Sequence, residues 1–496
     1  MHQEAVKELT LNFSNQIVIT VSQIHIETLG CRLNQIESEA TARFFTDANF
    51  SVSMEGLASS SESDNKTCLG IINTCTVTQK SEQKARRIIR LMLKKFPSAA
   101  ILVTGCYAQL SPEEIKAIDS RICVIGGQMK SRLSKVPDLL TKSLTEKWQA
   151  EDFSKLIEKE IASLPQLQAG IPEDSFKLSA TSFLSHSRAS LKIQDGCNNN
   201  CAFCAIHIAR GHSVSLDVQT AINRVRELEE KGHDEVVLTT VNISQYKGVY
   251  KDGFCNFTEL LSLLLENTKK IHFRISSLYP DIVDDDFCRV ISDPRVQPHF
   301  HISVQSGSTE ILKAMNRPYS RESVIKACQK LREVKDRPFI ACDIITGFPG
   351  ESDEDFEKTI QLCSECDFAW VHAFPFSERP GTTAASMKNK VAQSVSGERA
   401  KRLTEWAINQ KIKYVKSFSG SEHKAVLETV KRPLALAVKS SNKRVIYHAV
   451  TDNFIHCEII SERILEANKM ISLRITNVLE DRIKKGGDIE AAAEFI

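Results

Sequence analysis

The chain has 496 residues, 64 Lys and Arg against 62 Asp and Glu, 42% hydrophobic residues and 15 cysteines. That length suggests about two to four domains, and the ordinary hydrophobic and charged content excludes wholesale disorder and collagen-like chains. A net charge of +2 excludes a generally basic surface, so any nucleic-acid footprint must be a local patch. No uncharged apolar run approaches the roughly 18–20 residues that a spanning helix needs, and the first residues lack the apolar core of a secretory signal. A soluble, cytoplasmic chain with thiols rather than disulfides is therefore expected, most of those thiols serving as small buried hydrophobes.

In chain order, residues 24–29 alternate as a strand and run into Gly30 and Cys31, and residues 34–47 read as a helix. A strand ends at Asn73, Thr74 and Cys75, a long helix covers 82–95, and residues 99–103 lead to Gly105 and Cys106. Ser111 and Pro112 start another helix, and residues 123–126 and 130–140 complete a last strand–helix pair. Strands alternating with helices predict a doubly wound parallel α/β domain over 20–140. Residues 141–187, interrupted by Pro165 and Pro172, read as a linker.

The alternation restarts with candidate strands at 191–194, 235–241, 271–276, 300–304, 339–345 and 369–374. Ser215 is the expected cap of a helix striped by Val218, Ile222, Val225 and Leu228. Six βα units over 188–416 predict a small (β/α)6 barrel, complete or open. After a helix including residues 399–415, short β-branched runs at 425–427, 435–438 and 454–460 predict a small antiparallel β-barrel over 417–480. The residues from Lys484 read as a frayed tail.

Cys197, Cys201 and Cys204 form C-x3-C-x2-C directly after LKIQDG, at the C-terminal end of the first barrel strand, where barrel enzymes keep their chemistry. Three thiols within eight residues suit an iron–sulfur cube with one iron left open. Zinc, with His207 as a fourth ligand, is the competing reading, although it prefers separated CxxC pairs. Cys31, Cys75 and Cys106 each follow a predicted strand of the first domain, and parallel strand ends converge along one edge. That shared placement points to a second cluster. Cys68, Cys123, Cys288, Cys328 and Cys342 are expected to pack, and Cys363 and Cys366 form an unassigned CxxC.

The C-x3-C-x2-C spacing resembles the radical S-adenosylmethionine superfamily, as do FRISSLYP from Phe273, HISVQSG from His301, MNRPY from Met315 and DIITGFPGE from Asp343. Together with TLGCRLNQIESE, NTCTVT and TGCYAQ, the chain resembles the methylthiotransferases over about residues 22–475, in the branch acting on N6-threonylcarbamoyladenosine in tRNA. The resemblance implies two [4Fe–4S] clusters and S-adenosylmethionine as cofactors. Cys197, Cys201 and Cys204 would hold the radical-generating cluster, and Cys31, Cys75 and Cys106 the sulfur-bearing one. Gln305, Asp343, Gly347 and Gly350 would line the S-adenosylmethionine site, and the terminal barrel, called TRAM, would hold substrate. Implied partners are a tRNA anticodon stem-loop, a reducing electron donor and a sulfur source, with no membrane. Two positions depart from the family pattern: Val214 replaces an arginine and Thr240 a glycine.

Two basic patches would suit RNA phosphates. One helix carries Lys80, Lys84, Arg86, Arg87, Arg90, Lys94 and Lys95, with Glu82 its only acid. The other patch is Lys424, Lys431, Arg432, Lys439, Lys443 and Arg444, near Tyr447 and Phe454, two aromatics that either stack on bases or pack in a barrel. Competing functions are methylthiolation of a ribosomal-protein aspartate, a non-catalytic iron–sulfur RNA-binding module, and an electron carrier.

Overall fold

The computed structural model describes residues 23–145, 148–179, 188–428, 445–462 and 465–496. Within them the chain divides into two compact units: one runs to Thr76 and from Lys80 to Ala169, the other from Gly170 to Ile496 together with Val77–Gln79.

The first unit is a five-stranded sheet in the order Ser51–Ser53, Gln23–Thr28, Thr67–Thr74, Ala100–Gly105, Ile122–Gly126. Every pairing is parallel, as the alternation predicts. Thr67–Thr74 and Ala100–Gly105 are buried at every position, which is why they read as continuous apolar runs rather than alternating ones. The helix Gln79–Lys95 covers the sheet with Ala85, Ile88, Ile89 and Met92. The polar stretch read as a linker is partly structure: Ala150–Ile157 is a helix with Phe153 and Ile157 buried, and Ser154 Oγ donates to the Arg121 carbonyl at 2.6 Å. Sparse but correctly spaced apolar residues suffice to dock it.

In the second unit, six principal parallel strands follow one another in two sheets. Ala189–Lys192, Glu235–Thr239 and His272–Ile275 form one, and His299–Gln305, Phe339–Thr346 and Trp370–Pro375 belong to the other. Among the described residues the six strands do not close, so the open form of the barrel is the one adopted. Ser215 is not the helix cap: it pairs with Gln194 in a short ladder, and Asp217 caps Val218–Glu230 by accepting from the Thr220 N–H at 2.8 Å.

A closed barrel of Glu422–Leu427, Val445–Thr451, His456–Ser461, Ala491–Phe495 and Met470–Val478 ends the chain. It is not wholly antiparallel, because Ala491–Phe495 runs parallel to His456–Ser461 and antiparallel to Met470–Val478. The expected frayed tail therefore supplies the closing strand. At the first residues of the six strands, Arg274 donates to both Glu235 oxygens at 2.9 and 2.8 Å and to the carbonyls of Thr451 and Asp452 at 3.1 Å each. This buried fork ties the closed barrel to the open one, and breaking such a pair by removing one partner costs about 3–5 kcal/mol. The expected strand at 435–438 lies outside the described residues.

Candidate metal and cofactor sites

In the first unit, Thr28 pairs with Asn73 and Thr74 with Gly105, so Cys31, Cys75 and Cys106 leave three adjacent strands at the same edge. The strand order reverses between Gln23–Thr28 and Thr67–Thr74, which is the topological switch point where open α/β sheets bind ligands. The approach is close. A Cβ on Gly30 would fall 2.9 Å from Cys75 Sγ, and one on Gly105 would fall 2.3 Å from the Thr74 carbonyl; both glycines have φ of +104°. Only glycine admits these turns.

Buried polar groups hold that edge. Asn34 donates to the carbonyls of Leu29 and Thr74 at 2.7 and 3.1 Å, Asn73 donates back to the Asn34 carbonyl at 3.0 Å, and Lys130 pairs with Glu37. Ser38 accepts from Asn73 at 3.3 Å, so the N, first E and S of TLGCRLNQIESE brace the loops, a role their residue types alone did not show. Cys31 is exposed and precedes the first turn of the helix Arg32–Asp47, whereas Cys75 and Cys106 are buried. Three thiols from three neighbouring loops are a donor set that fits a cluster.

In the second unit, the Gly196–Cys204 loop is fastened from several directions. Cys197 N–H donates to the Gly211 carbonyl at 3.0 Å and Ala202 N–H to the Met315 carbonyl at 3.0 Å. Buried Gln194 accepts from the N–H groups of Val241 and Asn242, at 2.9 Å each, and donates to the carbonyls of Asp195 and Gly196 at 2.9 and 2.7 Å. Asp195 lies between Lys192 at 3.0 Å and Arg210 at 2.8 Å, all three buried.

The thiols bear on one another. Cys204 is pushed up to about 12, by burial first and then by the charges of Cys201 and Cys197. Burial likewise raises Cys197, against hydrogen bonds from the Asn199 N–H at 3.4 Å and from Asn242 Nδ2 at 3.9 Å. Arg317 Nη1 donates to Cys201 Sγ at 3.3 Å and to Tyr279 OH at 2.6 Å, within a box of Phe203, Tyr279 and Tyr319 rings. Buried thiols raised in this way, Cys197 and Cys204, stay protonated alone and become thiolates when a cationic metal centre replaces their protons. Among the described residues no three His, Cys, Asp or Glu side chains are arranged to hold a single metal ion, and none of the cysteines is in a disulfide.

Gln305 ends its strand at φ +73° and is buried. Asp343 lies 3.0 Å from His301; against the upward push of burial, His301 holds its carboxyl below the usual range. His301 and Asp343 alternate with Ile302, Cys342 and Ile344, which pack in the core, so they face the other side of the sheet, the barrel interior. At Gly347, φ +72°, a Cβ would lie 1.8 Å from Ser396 Oγ, so only glycine fits beside the helix Gln393–Lys416. Gly350, at φ +88°, faces open space. The departures are accommodated: Thr240 Oγ1 is 3.4 Å from Ser276 Oγ, and Val214 pairs with Asp195.

Of the basic helix, Lys80, Lys84, Arg87, Arg90 and Lys94 are exposed, whereas Arg86 is engaged by Tyr107 and Glu114 at 2.9 Å each. Lys431, Arg432, Lys439, Lys443 and Arg444 of the second patch lie outside the described residues. Tyr447 is core, its OH accepting from the Leu465 N–H at 3.2 Å, and Phe454 packs 4.0 Å from the His299 ring. Neither is free to stack on a base. No helix among the described residues is long and apolar enough to cross a membrane.

An open barrel of parallel strands with three thiols after its first strand defines a radical S-adenosylmethionine domain, and the Radical SAM superfamily model matches residues 191–363. That domain implies S-adenosylmethionine and one [4Fe–4S] cluster. A second model, Uncharacterized protein family UPF0004, matches residues 23–127. The threonylcarbamoyladenosine tRNA methylthiotransferase MtaB of Treponema pallidum is 43% identical over 82% of this chain and 91% of its own. Its Bacillus subtilis namesake is 33% identical over 88% and 89%. A tRNA-2-methylthio-N(6)-dimethylallyladenosine synthase of Histophilus somni is 28% identical over 93% and 91%. The chain belongs to the threonylcarbamoyladenosine tRNA methylthiotransferase family. Among solved structures, the radical S-adenosylmethionine methyltransferase TsrM of Kitasatospora setae aligns over 73% of this chain and 77% of its own, with a TM-score of 0.48 at 12% identity.

Proposed function

We propose that this enzyme replaces the C2 hydrogen of N6-threonylcarbamoyladenosine, beside the anticodon of tRNA, with a methylthio group. The observation that carries this reading is the pairing of two three-cysteine sets in one chain, one after the first barrel strand and one at the switch point of a flavodoxin-like sheet. Cys197, Cys201 and Cys204 would hold the radical-generating cluster, and Cys31, Cys75 and Cys106 the sulfur-bearing one. When bound, these groups and S-adenosylmethionine would supply hydrogen-atom abstraction, the sulfur and the methyl group; an aromatic C–H bond resists acid–base chemistry, so the cofactor carries that step.

The chain's own residues do the positioning. Gln194, Asp195 and Asn242 fasten the cysteine loop, Arg317 donates to Cys201, and Gln305, Asp343, Gly347 and Gly350 would line the S-adenosylmethionine site. Residues 20–140 would be the methylthiotransferase domain, 188–416 the radical domain, and the closed barrel the TRAM substrate-holding domain. The exposed cations of Gln79–Lys95 suit tRNA phosphates. Turnover requires a reducing electron donor and a sulfur source.

The test is nucleoside mass analysis of tRNA from cells with and without the gene. Loss of 2-methylthio-N6-threonylcarbamoyladenosine on deletion, with N6-threonylcarbamoyladenosine accumulating, is expected. An unchanged nucleoside profile would overturn the reading.

A further inference from the structure

After strand Glu235–Thr239 the chain makes a small hairpin, Gly248–Cys255. Gly248–Tyr250 pairs antiparallel with Gly253–Cys255, with Val249 opposite Phe254, so these two side chains sit side by side on one face. That face is in water: Val249 is 54% exposed and Phe254 62%. Lys247 Nζ stands 4.5 Å from the Phe254 ring centre, and Lys251 Nζ 5.2 Å from that of Tyr250.

The root of the hairpin is fixed. Tyr246 OH donates to the Leu216 carbonyl at 2.7 Å, and Lys247 N–H donates to Ser215 Oγ at 2.8 Å. Just before it, Gln245 accepts from the Asn198 N–H at 2.8 Å and donates to Asn199 Oδ1 at 2.7 Å, gripping the loop between Cys197 and Cys201. At its other end, Cys255 and Phe257 are buried and Asn256 forms a capping box with Glu259. An exposed aromatic–basic ledge is thus held rigidly on the loop that carries the barrel cysteines.

We propose that this hairpin docks the unpaired loop of the RNA substrate, with Phe254 stacking on a base while Lys247 and Lys251 meet the flanking phosphates. The ledge matches that occupant in size and charge. A stable protein interface needs on the order of 800 Å² per partner, whereas one Val and one Phe cover about the area of a base. A flat ring with a cation over it is a stacking platform indifferent to base identity. Two lysines against the single acid Asp252 leave the ledge positive. The inference rests on the tRNA reading above.

The test measures binding of reconstituted full-length protein to an anticodon stem-loop RNA bearing N6-threonylcarbamoyladenosine, and to an unrelated RNA duplex of the same length. Phe254→Ala weakens stem-loop binding by about five-fold or more while Phe254→Tyr retains it, since stacking contributes roughly 1–3 kcal/mol per base. Duplex binding and the iron–sulfur absorbance stay as in wild type. Lys247→Ala/Lys251→Ala lowers the slope of log affinity against log salt by about 1.4, the value for two phosphates of a single strand. If wild type binds the stem-loop and Phe254→Ala binds it equally, the docking role is overturned and the tRNA reading stands. If wild type does not distinguish the stem-loop from the duplex, the tRNA reading itself fails. If Phe254→Ala changes only the sedimentation of the protein, the ledge joins two copies of this chain, and the docking role is overturned.

Discussion

His299 opens its barrel strand against two aromatic rings, 5.6 Å from Phe339 and nearly parallel to it, and 4.0 Å from Phe454. Its Nδ1 is buried without a hydrogen-bond partner. Burial pushes its pKa well below the ordinary imidazole value, and the charges of Arg274, His301, Arg188 and Lys411 push the same way. A depressed folded pKa means that the unfolded chain takes a proton that the folded chain refuses. The resulting stability is fully present above the unfolded value of about 6.5 and is lost as pH falls below it toward the folded pKa. His456, depressed for the same reason, titrates in the same direction. We therefore expect His299→Phe, which keeps the ring stack, to flatten the fall of unfolding free energy below pH ~6.5 by up to about 1.4 kcal/mol per pH unit, one proton's worth. Denaturant melts across pH 4–7 check this; a slope identical to wild type would show that His299 binds as many protons folded as unfolded.

Short elements were the least legible. The final strand, Ala491–Phe495, is three alanines, a glutamate and a phenylalanine, with little β-branching to announce it. Its assignment comes from pairing: it bridges His456–Ser461 and Met470–Val478 and buries Ala491 and Ala493 in the barrel core. Small residues fit there because the barrel interior is already filled by Leu473, Ile475, Ile459 and Tyr447. Deleting residues 488–496 would open two strand edges, and each backbone group left buried and unpaired costs about 1–3 kcal/mol. The expected outcome is a lost or lowered melting transition for the C-terminal barrel, with faster proteolysis within residues 422–478. An unchanged digestion pattern would mean that the closing strand adds nothing. The hairpin at Gly248–Cys255 is silent in the sequence for a similar reason, since two three-residue strands carry too few positions for alternation to register.

At the scale of the molecule, the two cysteine sets sit in different compact units, each with its own sheet and core. They should load independently. A variant with Cys197→Ala, Cys201→Ala and Cys204→Ala is expected to keep roughly half of the wild-type iron, as for two clusters of one size, and to lose S-adenosylmethionine cleavage entirely. Iron analysis and 5′-deoxyadenosine assay read this; complete loss of iron would mean one shared centre or a collapsed fold.

The sequence by itself determined what is local. The C-x3-C-x2-C spacing, the cysteines placed after strands and the βα alternation are properties of short stretches, and they sufficed for the fold class and the donor sets. Only the tertiary structure decided what depends on distant partners. The reversal of strand order put Cys31 and Cys75 at a switch point, Ser396 occupied the space beside Gly347, and Phe454 was spent on packing against His299 rather than on RNA. Strand order, burial and closure arise from contacts between residues tens to hundreds of positions apart, and a linear pattern carries no term for them.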